Sequence, residues 1–461
     1  MTGVEQRPTG VVRPGQPEYD EATRVFNLAA PLRPAAAIVA RDTEAVRAAV
    51  RYARAAGLAV RTHSTGHGAA TAAPMDDVLL IRTLITGGVR VDAHRRRAWI
   101  PAGTCWDAVI QAAAEHGLAA PHGSSPQVGV VGYLLRGGVS FYGRHRGLAV
   151  NSVRAVELVT ADGRLRRVDA DTEPDLFWAL RGGGGGFGVV TAVEIELFPV
   201  AGVVTGAAFW PVAHAAELIP RWQRWAEQSP WTATTSLRVM RLPDVPGVID
   251  PELSAGPVLC VDGVVVGPSA DDVETAQRQA EELLRPLRSV AAPLRDSWRP
   301  TDCTQVPYSH LDPVEPLSLH GDHMLLGELG ERGAGAFLAA AADPATTLIN
   351  VELRQLGGAF ASPVPGGGAL DHVGAAYAWL AGGAPGGPLT LADVADACAR
   401  VRAALRPWDT GSTVPSLVEN VSQPQRHLTA ARLANVDRVR LSVDPDGVFR
   451  SDVSPGATAL S

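Results

Sequence analysis

The stretch His63-Ser64-Thr65-Gly66-His67-Gly68-Ala69 follows a short apolar run, Leu58-Ala59-Val60, that reads as a β-strand. A turn this rich in small residues, placed after a strand, aims several backbone N–H groups to one side, as a phosphate or pyrophosphate requires. His67 closes the turn between two glycines, with no bulky neighbour. Taken alone, the seven residues read more simply as an ordinary strand-to-loop turn with a surface histidine. What surrounds them decides the matter.

Upstream, Ala37-Ile38-Val39 reads as a strand and Asp42-Thr43-Glu44 caps a helix running to about Ala56, with Val46, Val50 and Ala53 on one face. With the strand before His63 this makes a β-α-β unit. Downstream, Val78-Leu79-Leu80-Ile81 reads as a buried strand, and 89–91 with 98–100 as a hairpin. A helix starts at Thr104-Cys105-Trp106-Asp107 and stops at Gly117. Residues 123–138, GSSPQVGVVGYLLRGG, are loop-like at both ends. Strands are expected over 153–159 and 165–168, joined by the turn Asp162-Gly163, and again over 192–197 after a short helix at 175–180 and the glycines Gly182 to Gly186.

Near Pro199 the character changes. Trp210, Trp222, Trp225 and Trp231 appear, strands alternate with longer helices (one from Asp271 to Leu287), and a helix is expected around Tyr377 and Trp379. The strand Leu348 to Leu353 alternates, so Asn350 and Glu352 share a face opposite Val351 and Leu353. A closing segment has a helix, His427 to Arg440, and then Asp444-Pro445-Asp446-Gly447-Val448-Phe449. The division is therefore 1–202, 203–415 and 416–461.

At 461 residues the chain is long enough for two domains, and 46% hydrophobic content with 48 Gly and 35 Pro is globular and loop-rich. A net charge of −7 argues against a nucleic-acid footprint. All 41 basic residues are arginine, which excludes P-loop, Schiff-base and general-base lysine chemistry. The cysteines Cys105, Cys260, Cys303 and Cys398 form no CxxC pair and suit a reducing cytoplasm. No apolar leader or membrane-length run is read, so the expectation is a cytoplasmic protein without membrane or nucleic-acid partners.

Single motifs have bland readings. His63 and His67 have a zinc-ligand spacing only if helical, and the Ser-Thr-Gly between them argues for a turn. His310, His320 and His323, with Asp312, Glu315 and Asp322, are the better metal or hydrolase candidate, although Pro313 and Pro316 break that region into loop. The glycines at 137–138 and 182–188 do not form the strand-GxGxxG-helix pattern of a Rossmann site.

The ordered set resembles the FAD-linked oxidases of the berberine-bridge-enzyme type, within the vanillyl-alcohol-oxidase group of PCMH-type flavoproteins. The stretches that carry the resemblance are 10–15 with Tyr19 and Phe26-Asn27, STGHG at 64–68, 123–138, GLAVNSVRAVELVTADG at 147–163, 173–200, VELRQLGGAFASPVP at 351–365 and DPDGVFR at 444–450. They run nearly the whole chain. The resemblance implies an α+β, two-domain PCMH-type FAD-binding fold with an inserted α+β substrate-binding domain. It implies FAD attached through His67, with Ser64, Thr65, Gly66 and Gly68 cradling the pyrophosphate. The ring would be lined by Ser125, Val128, Gly129, Val130, Gly137 and Gly138, and the adenine side supported by Gly188 and Val190. A second, cysteinyl link is excluded because Ser125 occupies its position.

Three departures stand out: His63 where an arginine commonly begins the histidine motif, Arg136 in place of a glycine, and no tyrosine in TVPSLVEN, 413–420, where the family often keeps its base. The candidate bases are therefore Glu352, Tyr142 and Tyr308, with Glu352 expected in an apolar cleft that raises its pKa unless Arg354 opposes the shift. The leading expectation is an oxidase passing hydride from a small organic, natural-product-like substrate to flavin and electrons to O2, giving H2O2. Alternatives are an oxygenating flavoenzyme of polyketide tailoring, a metal-dependent hydrolase at His310, His320 and His323, or a binding module that has lost turnover. A homodimer is left open.

Overall fold

The computed structural model describes residues 8–451, leaving aside 201, 268, 270, 271 and 424. Residues 1–7, Asp271 at the start of an expected helix, and residues 452–461 of the closing segment lie outside the described residues.

The β-α-β unit forms. Strands β1 (Ala36–Ala40), β2 (Ala59–His63) and β3 (Val78–Thr83) run parallel in the order β1-β3-β2. The helix Thr43–Ala55 begins where the Asp42 side chain accepts from the Ala45 N–H, and it buries Val46, Ala49, Val50 and Ala53 against the sheet. β2 extends to His63, so the motif's first residue is the last of the strand.

Next come β4 (Arg90–Asp92), β5 (Arg97–Pro101), β6 (Leu118–Ala119), β7 (Val153–Val159), β8 (Leu165–Asp169), β9 (Val189–Glu196) and β10 (Phe198–Pro199). Five of them make an antiparallel sheet, β4-β5-β9-β7-β8, while β6 and β10 pair apart. The helices Trp106–Ala114 and Pro174–Leu180 share one core with this sheet. The stretch 123–138, read as loop-like at its ends, holds a helix at Val130–Leu135 in its centre.

Among the described residues, all strands from 203 onward join one antiparallel sheet: β11 (Val203–Pro211), β12 (Ala233–Met240), β13 (Val258–Val266), β14 (Arg295–Asp296), β15 (Arg299–Thr301), β16 (His320–Leu326), β17 (Asn350–Gln355) and β18 (Tyr377–Gly383). The order is β14-β11-β13-β12-β17-β18-β16, with β15 beside β11. The helices Ala215–Gln228, Val273–Arg288, Gly330–Ala341 and Leu391–Leu405 cover one face over Trp210, Trp222, Phe337 and Trp379. Those tryptophans are core.

The segment around Tyr377 and Trp379 is a strand, correcting the expected helix. Trp379 and Ala381 enter the helix-covered core while Ala378 and Leu380 pack on the opposite side, so burial on both faces erases the alternation that marks a strand. β17 is displaced two residues from the expected 348–353, and its alternation holds: Val351 and Leu353 face the helices, Glu352 and Arg354 the other lobe.

The chain then returns to the first lobe. The helix Ala430–Val443, capped by Thr429, packs on Pro174–Leu180. The Val60 N–H donates to Val448 O, Phe449 enters the core under Thr43–Ala55, and Arg450 bonds Asp77 at 2.6 Å.

Candidate active site

His67 is held from three directions. Gly66 has φ +76°, and a Cβ there would lie 2.6 Å from Val25 Cα, so the turn needs glycine both for its backbone and for its space. The Thr65 hydroxyl meets His67 Nδ1 at 2.8 Å, and the ring stacks on Phe26 with centroids 3.8 Å apart. Its Nε2 is buried with no partner, and burial brings the imidazole down to about 4, so it is neutral at physiological pH. His63 is likewise lowered to about 4 by burial, and its Nε2 lies 3.0 Å from Ala22 O.

The 123–138 stretch touches this turn. A Cβ at Gly129 would fall 2.3 Å from Ser64 Oγ, and the Trp106 N–H donates to Val128 O while the Val130 N–H donates to Thr104 O. Gly129 is the N-cap of the helix Val130–Leu135 and offers no side chain to cap it. Gly138 packs on the Tyr133 ring, and Gly137 abuts Leu370 and Val414 of the later chain. Gly188 and Val190 lie where β9 meets β7; a Cβ at Gly188 would sit 2.6 Å from Val159 O. The Arg136 guanidinium lies over Gly68, with Nη1 2.7 Å from where a Cβ would be.

Around these elements, buried polar atoms lack partners: His67 Nε2, Trp106 Nε1, His122 Nε2, Ser125 Oγ, Tyr133 OH and both ring nitrogens of His427. Folded proteins seldom leave such atoms unpaired. A cluster of them beside a glycine-built turn fits a large, polar-edged ligand such as FAD.

Facing this lobe, the uncovered side of the large sheet carries a buried ionic cluster. Arg238 pairs with Asp262 at 2.5 Å, and His310 Nδ1 lies 3.0 Å from the same carboxylate. Arg354 Nε donates to Glu352 at 2.7 Å, as does Ser236 Oγ, and His310 Nε2 stands 3.3 Å from Glu352. Phe141 of the first lobe lies edge-on to His310 and under Arg354. Asp312 accepts from Ser124 Oγ at 2.6 Å, joining the two lobes, and its charge reaches His67.

This cluster reverses the expected titration of Glu352. Burial raises its carboxyl pKa, but Arg354 and His310 outweigh burial and hold it well below the usual range. Burial and Arg238 lower His310, yet Asp262, Glu352 and Asp312 prevail and raise it to about 9. The Tyr142 hydroxyl is enclosed beside His122 and Phe198 with no partner, and burial pushes its pKa far up. Tyr308 is 44% exposed and bonds Asp107 at 3.3 Å, away from the cluster. His310 is taken by the ionic cluster, and His323 faces Gln423 and the Val414 N–H. Among the described residues no group of three or more His, Cys, Asp or Glu could hold a metal.

Phe26 as a ring partner, Ser124 as a bridge and Glu419, inside the tyrosine-free stretch 413–420, carry no local pattern that marks these roles. The raised carboxylate of Glu419 had no sequence signal, because its neighbours Asp312 and Arg136 are remote in the chain.

Residues 34–169 match the family model described as an FAD binding domain. Structures of the same fold include BBE-like 1 of Physcomitrella patens, with TM-score 0.81, 20% identity and 96% of each chain covered. The chain is a flavin-domain protein of the BBE-like fold. The flavoprotein also superposes on 6-hydroxy-D-nicotine oxidase of Arthrobacter nicotinovorans, with TM-score 0.81 and 23% identity over 97% of this chain and 98% of that one. In sequence it is 34% identical over 204 residues to (R)-6-hydroxynicotine oxidase of Paenarthrobacter nicotinovorans, 43% of this chain and 44% of the relative. It is 30% identical over 196 residues to the carbohydrate oxidase of Microdochium nivale, 42% and 40% of the two lengths. The flavoprotein thus matches less than half the length of these two relatives.

Proposed function

We propose that the flavoprotein is an FAD-dependent oxidase of a small organic substrate, with the cofactor attached once, through His67. The observation that carries this reading is the neutral, stacked His67 ring, with a buried unpartnered Nε2, at the contact of the 64–68 and 123–129 loops. Bound there, FAD would supply two-electron redox chemistry with O2 as the acceptor and H2O2 as the product.

The chain's own residues do the rest. Ser64, Thr65, Gly66 and Gly68 present backbone donors, and the Ser125, Trp106, Tyr133 and His427 polar atoms supply partners for the cofactor's edges. The Arg238–Asp262–His310–Glu352–Arg354 cluster forms a rigid polar floor opposite, and Asp312 with Ser124 closes the front. Glu352 is a positioning residue in this scheme, since its carboxylate is committed to Arg354 and Ser236.

The division 1–202, 203–415 and 416–461 belongs to the same proposal. The single sheet from β11 to β18 and the return of Phe449 to the first core support it. Cytoplasmic placement rests on the unpaired Cys105, Cys260, Cys303 and Cys398.

The test is the visible spectrum of purified protein and of its acid precipitate. Flavin colour in the pellet, on a peptide containing His67, supports the reading; a colourless protein refutes it. H2O2 formed per product, with isotope-labelled O2, separates oxidase from the oxygenating alternative.

A further inference from the structure

The segment after Gly411 is tied across the edge strand β16. The Asn420 side chain donates to Gly321 O at 2.8 Å, the Val414 N–H reaches His323 Nε2, and the Glu419 N–H donates to Gln423 Oε1 at 2.8 Å. On its other side the segment grips the flavin-domain loop: the Ser416 N–H donates to Arg136 O, and Ser416 Oγ accepts from the Gly138 N–H at 3.2 Å. The Glu419 stem passes over Gly321, where a Cβ would stand 3.2 Å from Glu419 Cγ, and its carboxylate feels the charges of Asp312 and Arg136.

Asp312 is the residue bonded to Ser124, and Arg136 is the one whose guanidinium covers Gly68. Glu419 thus shares two charged neighbours with the His67 turn: Asp312, whose charge also reaches His67, and Arg136, which covers Gly68. The other acidic groups there are committed: Asp262 to Arg238 and His310, Glu352 to Arg354 and Ser236, Asp312 to Ser124. Glu419 is partly exposed, and among the described residues its carboxylate makes no hydrogen bond or ion pair.

We propose that Glu419 is the proton acceptor of this site, replacing the tyrosine that 413–420 lacks. The idea rests on the oxidase reading above. The substrate carries an O–H or N–H on the carbon that is oxidised. The C–H bond breaks with its electron pair going to the flavin as hydride, the O–H or N–H proton passes to the Glu419 carboxylate, and a C=O or C=N bond forms. The substrate loses two electrons and two hydrogens, and the flavin takes the two electrons.

The titration of Glu419 suits the role. Burial and the neighbouring Asp312 charge raise its pKa to about 7, with Arg136 opposing. Carboxyl groups tuned close to working pH are the efficient acceptors. The rival groups titrate elsewhere: His310 is raised to about 9, His427 lowered to about 3, and Tyr133 is pushed up by burial.

The test compares wild type with Glu419→Gln and Glu419→Asp in two measurements. The first needs no substrate: infrared difference spectra of the purified protein between about pH 5.5 and 8.5. A carboxylic-acid C=O band that titrates near pH 7 in wild type and is missing in Glu419→Gln is expected. The second is anaerobic flavin reduction by the fastest reductant from a panel of primary and secondary alcohols and amines, with flavin content matched.

Wild type should speed up with pH to a plateau above about 7, while Glu419→Gln loses about 10²–10⁴-fold and its pH dependence, with Glu419→Asp recovering part. A Glu419→Gln protein that keeps the band, or keeps rate and pH profile, overturns the proposal. A wild type without flavin, or one that no panel member reduces, overturns the oxidase reading first and this assignment with it.

Discussion

Phe26 and His67 stack with ring centroids 3.8 Å apart and planes 13° from parallel. The pairing is built by backbone: the Phe26 N–H donates to Thr65 O, and the Leu317 N–H donates to Phe26 O, so Phe26 is fixed between the histidine turn and the later chain. The Thr65 hydroxyl then sets the rotation of the ring. Stacked aromatic pairs contribute about 0.5–1.5 kcal/mol beyond their area. Phe26→Ala should leave the fold intact and free the His67 ring. Apoprotein incubated with FAD should then retain flavin through acid precipitation more slowly than wild type, while His67→Ala should retain none. Equal rates for Phe26→Ala and wild type would reduce the stack to simple packing.

Gly66 offers a sharper test of the turn. An alanine there combines φ +76° with a Cβ 2.6 Å from Val25 Cα, and backbone on both sides cannot yield cheaply. The substitution should abolish flavin loading while the 203–415 region stays folded by hydrogen exchange. Normal loading by Gly66→Ala would mean that the turn is remodelled easily and is not pre-formed.

How much of this is legible in the sequence follows from where the partners sit. The 64–68 turn is contiguous, so its glycine pattern and its histidine could be read together, and the ordered matches from 10–15 to 444–450 carried the fold. Glu352 was legible as a residue facing the cleft, because β17 alternates. Its ionisation was not: Arg354 is two residues away, but His310, Asp262 and Arg238 come from three other parts of the chain. Tyr308 likewise could be named as a phenol, though only the fold shows it bonded to Asp107 on an exposed surface. The strand at Tyr377–Gly383 was read as helix because both its faces are buried. In each case the local pattern was sound and the missing term was tertiary.

The buried cluster makes a prediction about pH. His310 is raised from 6.5 to about 9, so its stabilisation is fully present below pH 6.5 and is lost as pH rises through about 9. Glu352 is depressed below its usual 4.5, so its contribution is present above that value and lost as pH falls. The cluster is therefore most stabilising between about pH 4.5 and 6.5. At 1.36 kcal/mol per unit, the His310 shift corresponds to about 3 kcal/mol lost toward pH 9.5. Urea unfolding of wild type and His310→Gln across this range measures it. Wild type should weaken toward alkaline pH and the variant should be flatter; parallel curves would show that His310 does not titrate in the folded protein.

Arg144 supplies the last prediction. It lies in the short helix Gly143–Arg146 of the flavin-domain lobe, yet every acceptor of its guanidinium belongs to the 203–415 region: Ala233 O at 2.8 Å, Ser229 O and Oγ at 3.1 Å, and Leu356 O. No carboxylate pairs with it among these contacts, and burial lowers its pKa to about 10, which leaves it charged at neutral pH. Beside it, a Cβ on Gly143 would stand 1.8 Å from Phe360 Cζ, so the lobes are pressed together at this point. Arg144→Met would keep the stem and strand those oxygens, at about 1–3 kcal/mol for each buried group left unsatisfied. Arg144→Lys should recover only part, since an ammonium cannot fork to acceptors in several directions. The expected result is an earlier urea midpoint for both, larger for Met, with the two lobes losing their cooperative transition. A shift below about 1 kcal/mol for Arg144→Met would mean that water replaces the guanidinium and that the lobes are held by their apolar contacts instead.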